Sequence, residues 1–506
     1  MRLVGALCAL LLFVTACSDD GAEDASGSND PEAKASEAGE QPGETVELQR
    51  SLPEAEVVPA TAGTPGENSV AVSRALFVSS PAVVLAPAGD QRAVDEAADA
   101  ATAAGIPLLL LDEAAATGPT EGSEASASDD AQSTSPTDGA EVPAFEEIKR
   151  LEADTVLLRG SDTDRTVRAA LDTEVVSSAG DLPSLDEVEG LSGLAVLVVE
   201  NDETEAATRI ASRATANAAG AEVLATNDAD IRVDPDVVST LADLEPASVM
   251  GLGDDFGPAE RFASRVDLAK TGQQLPGGGQ ALFPGRRLIA LYGSPGTPSL
   301  GVLGEQDVQA TIERAQGLAE EFSPLSDVPT VPTLEIIATI AHGDPGDDGD
   351  YSGEISVESL RPWVERAGEE GVYVVLDLQP GRSSFLDQAK VYEELLRMPH
   401  VGLALDAEWR LAPDEKPLGQ IGHVEAQEVN SVITWLADLT AEESLPQKLL
   451  VLHQFRVAML PDSQEYDLSR EEVQLLVHMD GQGATGDKES TWAAVTEAAP
   501  DGVPFG

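Results

Sequence analysis

In the last third of the chain, apolar runs end one after another on ionisable side chains. His342 with Asp344, Asp377, Asp406 with Glu408, His453 with Gln454, and His478 with Asp480 close five successive runs, and all five histidines of the chain fall in this region. A buried carboxylate without a partner costs several kcal/mol at least, so five convergent polar ends are better explained by a shared pocket than by accident. Paired carboxylates of this kind suit glycoside hydrolysis: one protonated acid donates to the leaving oxygen while a second attacks or activates water. On the run "VGLALDAEWR", Gly402, Ala404, Asp406 and Glu408 share one face, the face with small residues. Glu408 is the expected acid, raised by an ionised Asp406 beside it, with Asp377 or Asp480 as the second carboxylate. His342, His453 and His478 would contact substrate. Tyr373, on the face of Asp377, could offer a sugar-stacking surface, and Trp409 could do so if the strand ends before it.

Other readings of the same residues stay open. Asp406 and Asp377 could pair with Arg410 and Arg382 as structural ion pairs. His342, His453, His478 and Asp480 could hold zinc, but no HxH or HExxH spacing supports that, and no metal or cofactor is expected. The Asp-rich loop "HGDPGDDGDYSGE" (342–354) has the oxygen ligands for Ca²⁺ without EF-hand spacing, and reads as a solvated loop.

The elements that must position these groups alternate regularly. "RRLIALYG", "LEIIATIAHG", "VYVVLDLQPG", "VGLALDAEWR", "KLLVLHQF" and "VQLLVHMDG" read as buried strands. Between them, segments such as "VESLRPWVERAGEEG" and "EAQEVNSVITWLADLTAEE" carry apolar residues at helical spacing. Continuous apolar strands alternating with helices predict a parallel sheet covered by helices. The expected unit is a (β/α)-barrel-like domain over 286–506, with active groups at the C-terminal ends of its strands. Six runs, or seven with "GVPF" (502–505), leave such a barrel incomplete unless an upstream strand closes it.

Upstream, the sequence repeats. "AAGIPLLL" from Ala103 aligns with "AAGAEVLA" from Ala218, an offset of 115, and "LEADTVLLRG" (151–160) aligns with "LEPASVMGLG" (244–253), an offset of 93. The offsets differ by about the length of a low-complexity stretch at 114–141, which reads as a disordered insertion. Each copy reads strand, helix, strand, helix, strand, so an α/β class with a parallel layer is expected over 57–262. This pattern resembles the cell wall-binding repeat 2 family. The resemblance implies non-covalent attachment to an envelope polymer.

Charge narrows the partners. With 91 acidic and 30 basic residues, a formal net charge of −61, the chain repels nucleic acid and anionic lipid surfaces. At the N-terminus, Met1-Arg2 and the apolar Leu3–Val14 are followed by Val14-Thr15-Ala16-Cys17, which resembles a bacterial lipobox with Cys17 as the lipidated residue. The expectation is a signal peptide over 1–16 and a disordered tether over 17–56, in an extracytoplasmic lipoprotein held to the cell membrane by its lipid alone. With Cys8 removed and Cys17 modified, the mature chain has no thiol for a disulfide. The functional expectation is a surface protein that binds or hydrolyses envelope glycan. The alternative is a non-catalytic attachment or scaffold protein with a degenerate barrel.

Overall fold

A computed structural model describes residues 46–53, 63–112, 142–160, 164–185, 190–200 and 206–506. The expected signal peptide, Cys17, most of the tether and the whole 114–141 insertion lie outside these residues. No helix among the described residues is long and apolar enough to cross a membrane.

After a short antiparallel pair, β1 (Gln49–Arg50) with β2 (Phe77–Ser79), two parallel sheets follow. The first contains β3 (Ala82–Pro87), β4 (Leu108–Leu111), β5 (Thr155–Leu158) and β6 (Glu174–Val176) in the order β4-β3-β5-β6. The second contains β7 (Leu194–Val199), β8 (Glu222–Thr226) and β9 (Ser248–Leu252) in the order β8-β7-β9. Both copies place their second strand on one side of the first and their third on the other. The two sequence offsets map β4 onto β8 and β5 onto β9, so the repeat is one of structure. Alanine lets the copies meet: Ala93, Ala97 and Ala101 on the helix Gln91–Ala104 share a buried cluster with Ala207, Ala211 and Ala214 on the helix Ala206–Ala219. Asp90 caps the first of these helices, and Gly105, at φ 68°, ends it in the left-handed conformation that glycine adopts without a Cβ penalty.

The helix Ala259–Lys270 runs past the boundary expected at 262 and leads into a turn-rich segment. Leu275 and Leu282 of that segment pack against Val331, Tyr373, Val375, Ala404, Leu449 and Val451, closing the floor of the next layer. Arg286 fastens the segment: its guanidinium donates to the carbonyls of Leu282 and Ala281 at 3.1 and 2.9 Å, and to those of Pro276 and Gly278. A second tie joins the repeats to this layer, where Arg265 donates to both carboxylate oxygens of Glu471 at 2.6 and 3.1 Å.

The last sheet has β10 (Arg287–Gly293), β11 (Thr330–Ala341), β13 (Tyr373–Leu378), β14 (Val401–Asp406), β15 (Lys448–Gln454) and β16 (Val473–Met479) in sequential parallel order, with β12 (Ser352–Glu354) antiparallel on β11. All six predicted runs are strands of it. The segment "GVPF" adds a rung, a parallel bridge between Val477 and Phe505. The sheet curls so strongly that side chains on β11 and β15, with two strands between them, hydrogen-bond to each other. It does not close: Ala290 and Tyr292 on the inner face of β10 are exposed. The fold is α/β with an incomplete, half-barrel C-terminal layer.

Candidate functional site

Strand alternation and parallel register put a row of polar groups on the inner face. Asp406, His453 and His478 are direct neighbours across β14, β15 and β16. Asp377 on β13 stands beside Ala404 on β14. Below them the same face turns apolar, with Val375, Ala404, Leu449 and Val451. The small residues on the Asp406 face have a packing reason: a Cβ at Gly402 would lie 2.8 Å from the Tyr373 hydroxyl. Tyr373 is thus part of the floor, fully buried, its hydroxyl accepting from the Leu449 N–H at 3.2 Å. It offers no stacking surface at the mouth, which corrects that expectation.

His453 is the hub. Its Nε2 meets Glu335 Oε1 at 2.6 Å, and its Nδ1 lies 3.3 Å from Asp480 Oδ1 and 3.1 Å from His478 Nδ1. His478 Nδ1 is 3.0 Å from the same Asp480 oxygen. Burial opposes charge on His453, but the Glu335 and Asp480 carboxylates outweigh it and hold the imidazole well above its ordinary value. Burial also opposes ionisation of Asp480, yet hydrogen bonds from His453 and His478 keep it well below the usual carboxylate range.

Two neighbouring acids go the other way. Asp377 is wholly buried and accepts from the Tyr292 hydroxyl at 3.0 Å through Oδ2, while its Oδ1 has no hydrogen-bond partner. Burial first, then the charge of Asp406, pushes it well above the carboxylate range. Asp406 is pushed up to about 7, chiefly by burial. Glu408 is raised by burial and then by Asp480, so the charge acting on it is that of Asp480 and not, as expected, an ionised Asp406. The Asp406 side chain accepts from the Glu408 N–H at 3.3 Å, which turns the chain out of the strand into a short 3₁₀ segment, Ala407–Trp409. The strand therefore ends before Trp409, and Glu408 and Trp409 line a cavity of about 510 Å³ with Leu411, Leu418, Ile421 and Arg456.

The ion-pair alternative finds different partners. Arg410 pairs with Glu428 at 2.9 Å, and Arg382 donates to the Glu415 carbonyl and lies over the Tyr351 ring. His342 is exposed and outside the cluster, because β11 is twelve residues long and overshoots the mouth into the β12 hairpin, where the His342 N–H donates to the Tyr351 carbonyl. In the 342–354 loop, Asp344 and Asp348 accept from backbone N–H groups two residues on, and Asp350 from Ser352 N–H and Ser383 Oγ. Sequence reasoning missed Glu335 and Tyr292. The signal for Glu335 was present: it is a lone carboxylate inside the apolar stretch "LEIIATIA".

No protein-family model, no curated protein and no solved structure matches the chain.

Proposed function

We propose that the protein is a surface lipoprotein that binds and hydrolyses envelope glycan at the mouth of the half-barrel. The observation that carries the reading is the meeting of Asp406, Glu408, His453, His478 and Asp480, from three adjacent strands, beside a cavity walled by Trp409 and Arg456. Glu408 is the proton donor in this reading, because it reaches the cavity while Asp406 lies beneath it. Asp480, at the rim, belongs to the side from which water attacks. Trp409 supplies an apolar face for a sugar ring, and Asp406 and Asp377 are positioning groups. The net charge of −61 favours neutral glycan over anionic polymer. Lipidation at Cys17 and polymer attachment by the repeats, after the family they resemble, belong to the same proposal.

Incubating the purified protein with cell-wall sacculi, and scoring retained protein and new reducing ends separately, tests the reading. Retention with release of reducing ends is expected. Retention alone would replace hydrolysis with the attachment alternative, and the absence of both retention and release would overturn the proposal.

A further inference from the structure

The geometry points to a divalent metal site at the mouth, formed by His453 Nδ1, His478 Nδ1 and Asp480 Oδ1. The three atoms are 3.0, 3.1 and 3.3 Å from one another. An ion bonded at about 2.0–2.1 Å to each of three ligands sets their separations at about 2.9–3.4 Å for octahedral to tetrahedral angles. With its Nε2 proton on Glu335, His453 has one Nδ1 proton for two facing atoms, Asp480 Oδ1 and His478 Nδ1. A cation in that proton's place bonds all three atoms at once.

The surroundings fit a metal in two further ways. Glu335 behind His453 completes a carboxylate–histidine–metal arrangement, which fixes the tautomer and orients the ring. Asp377, fully buried with an unpartnered Oδ1, belongs to a second ligand-type group with Glu335 and His453, whose donor atoms lie within 4.8 Å of one another. Two imidazoles and one carboxylate select a zinc-class ion over Ca²⁺ or Mg²⁺. His478 and Asp480 are only partly buried, so three protein ligands leave a coordination position on the exposed side, as catalytic rather than structural zinc sites do. Here the ligands come from two adjacent parallel strands, and only Asp480 and His478 are close in sequence.

The site deepens the glycan reading but stands on its own geometry, and its test contains no glycan. The full chain, stripped with chelator, is titrated with Zn²⁺ by calorimetry and separately with Co²⁺ by visible absorption. One tight equivalent and a Co²⁺ spectrum with nitrogen ligation are expected. His478→Ala and Asp480→Asn, both at partly exposed positions, should each weaken binding at least about 100-fold, and Glu335→Gln about 10- to 100-fold. Circular dichroism of each variant confirms that it is folded. Zinc binding that is equal in wild type and the folded His478→Ala variant, or that is weak and multi-site as surface carboxylates would give, overturns the assignment. Failure of glycan release with tight zinc binding would count against the substrate reading only.

Discussion

Glu408→Gln is expected to lower glycan hydrolysis by about 10²–10⁴-fold while retention on sacculi changes less than about two-fold. Glutamine keeps the size and hydrogen-bonding reach of the side chain but has no proton to give to a leaving oxygen. Glu408 is half-buried at the cavity wall, so the substitution leaves the core untouched. Asp406→Asn should have a smaller effect, about ten-fold, because Asp406 acts through Glu408: its oxygen accepts the Glu408 N–H that sets the turn, and asparagine retains that acceptor. Initial rates of reducing-end formation check both, with Asp344→Asn on the exposed loop as a control that should match wild type. A loss below about three-fold for Glu408→Gln would remove it as the proton donor.

Asp377→Asn is expected to stabilise the fold at pH 7.5. Elsewhere in the chain, Glu147 shows what a buried structural carboxylate looks like. It is wholly buried and meets Ser73 Oγ at 2.7 Å, Arg74 Nε at 2.9 Å, and Arg150 Nε and Nη2 at 2.8 and 2.7 Å. Asp377 has one hydroxyl donor, no facing cation except His453, and the acids Glu335 and Asp406 around it. Because its folded value is raised, the native state holds a proton above pH 4 that the unfolded chain releases. Wild-type stability therefore falls as pH rises from about 4 through that folded value. The variant lacks this contribution, so its advantage should shrink toward zero near pH 4.5. His453, raised in the fold, adds a decline above pH 6.5 in the same direction, and it is present in both proteins. Urea unfolding at pH 4.5, 6 and 7.5 measures the difference. A variant less stable than wild type at pH 7.5 would make Asp377 a structural residue.

Much of this arrangement was legible in the sequence, for reasons that also explain what was not. The repeat survived a 28-residue insertion because the insertion falls between a strand and a helix and leaves the strand order unchanged. Asp377, Asp406, His453, His478 and Asp480 were legible because parallel strands joined through helices bring their C-terminal ends to one side of a sheet. Depth was not legible. Tyr373 shares a face with Asp377, but four residues along a strand is about 13 Å, enough to move from mouth to floor. The level of β11 was hidden too: its twelve residues carry His342 past the mouth, and it is Glu335, deeper in the strand, that meets His453. The Nδ1 triangle depends on ring orientations set across two strands, which no linear spacing encodes.

In the proposed function, glycan binds at the mouth of the half-barrel. Hydrogen exchange of the full chain, with and without a neutral N-acetylglucosamine oligomer, tests it most directly. Slowed exchange is expected at 407–422, 453–457 and 477–482, the segments around Glu408, Trp409, His453, His478 and Asp480. Protection confined to 82–252, in the two repeats, or no protection anywhere, would contradict it.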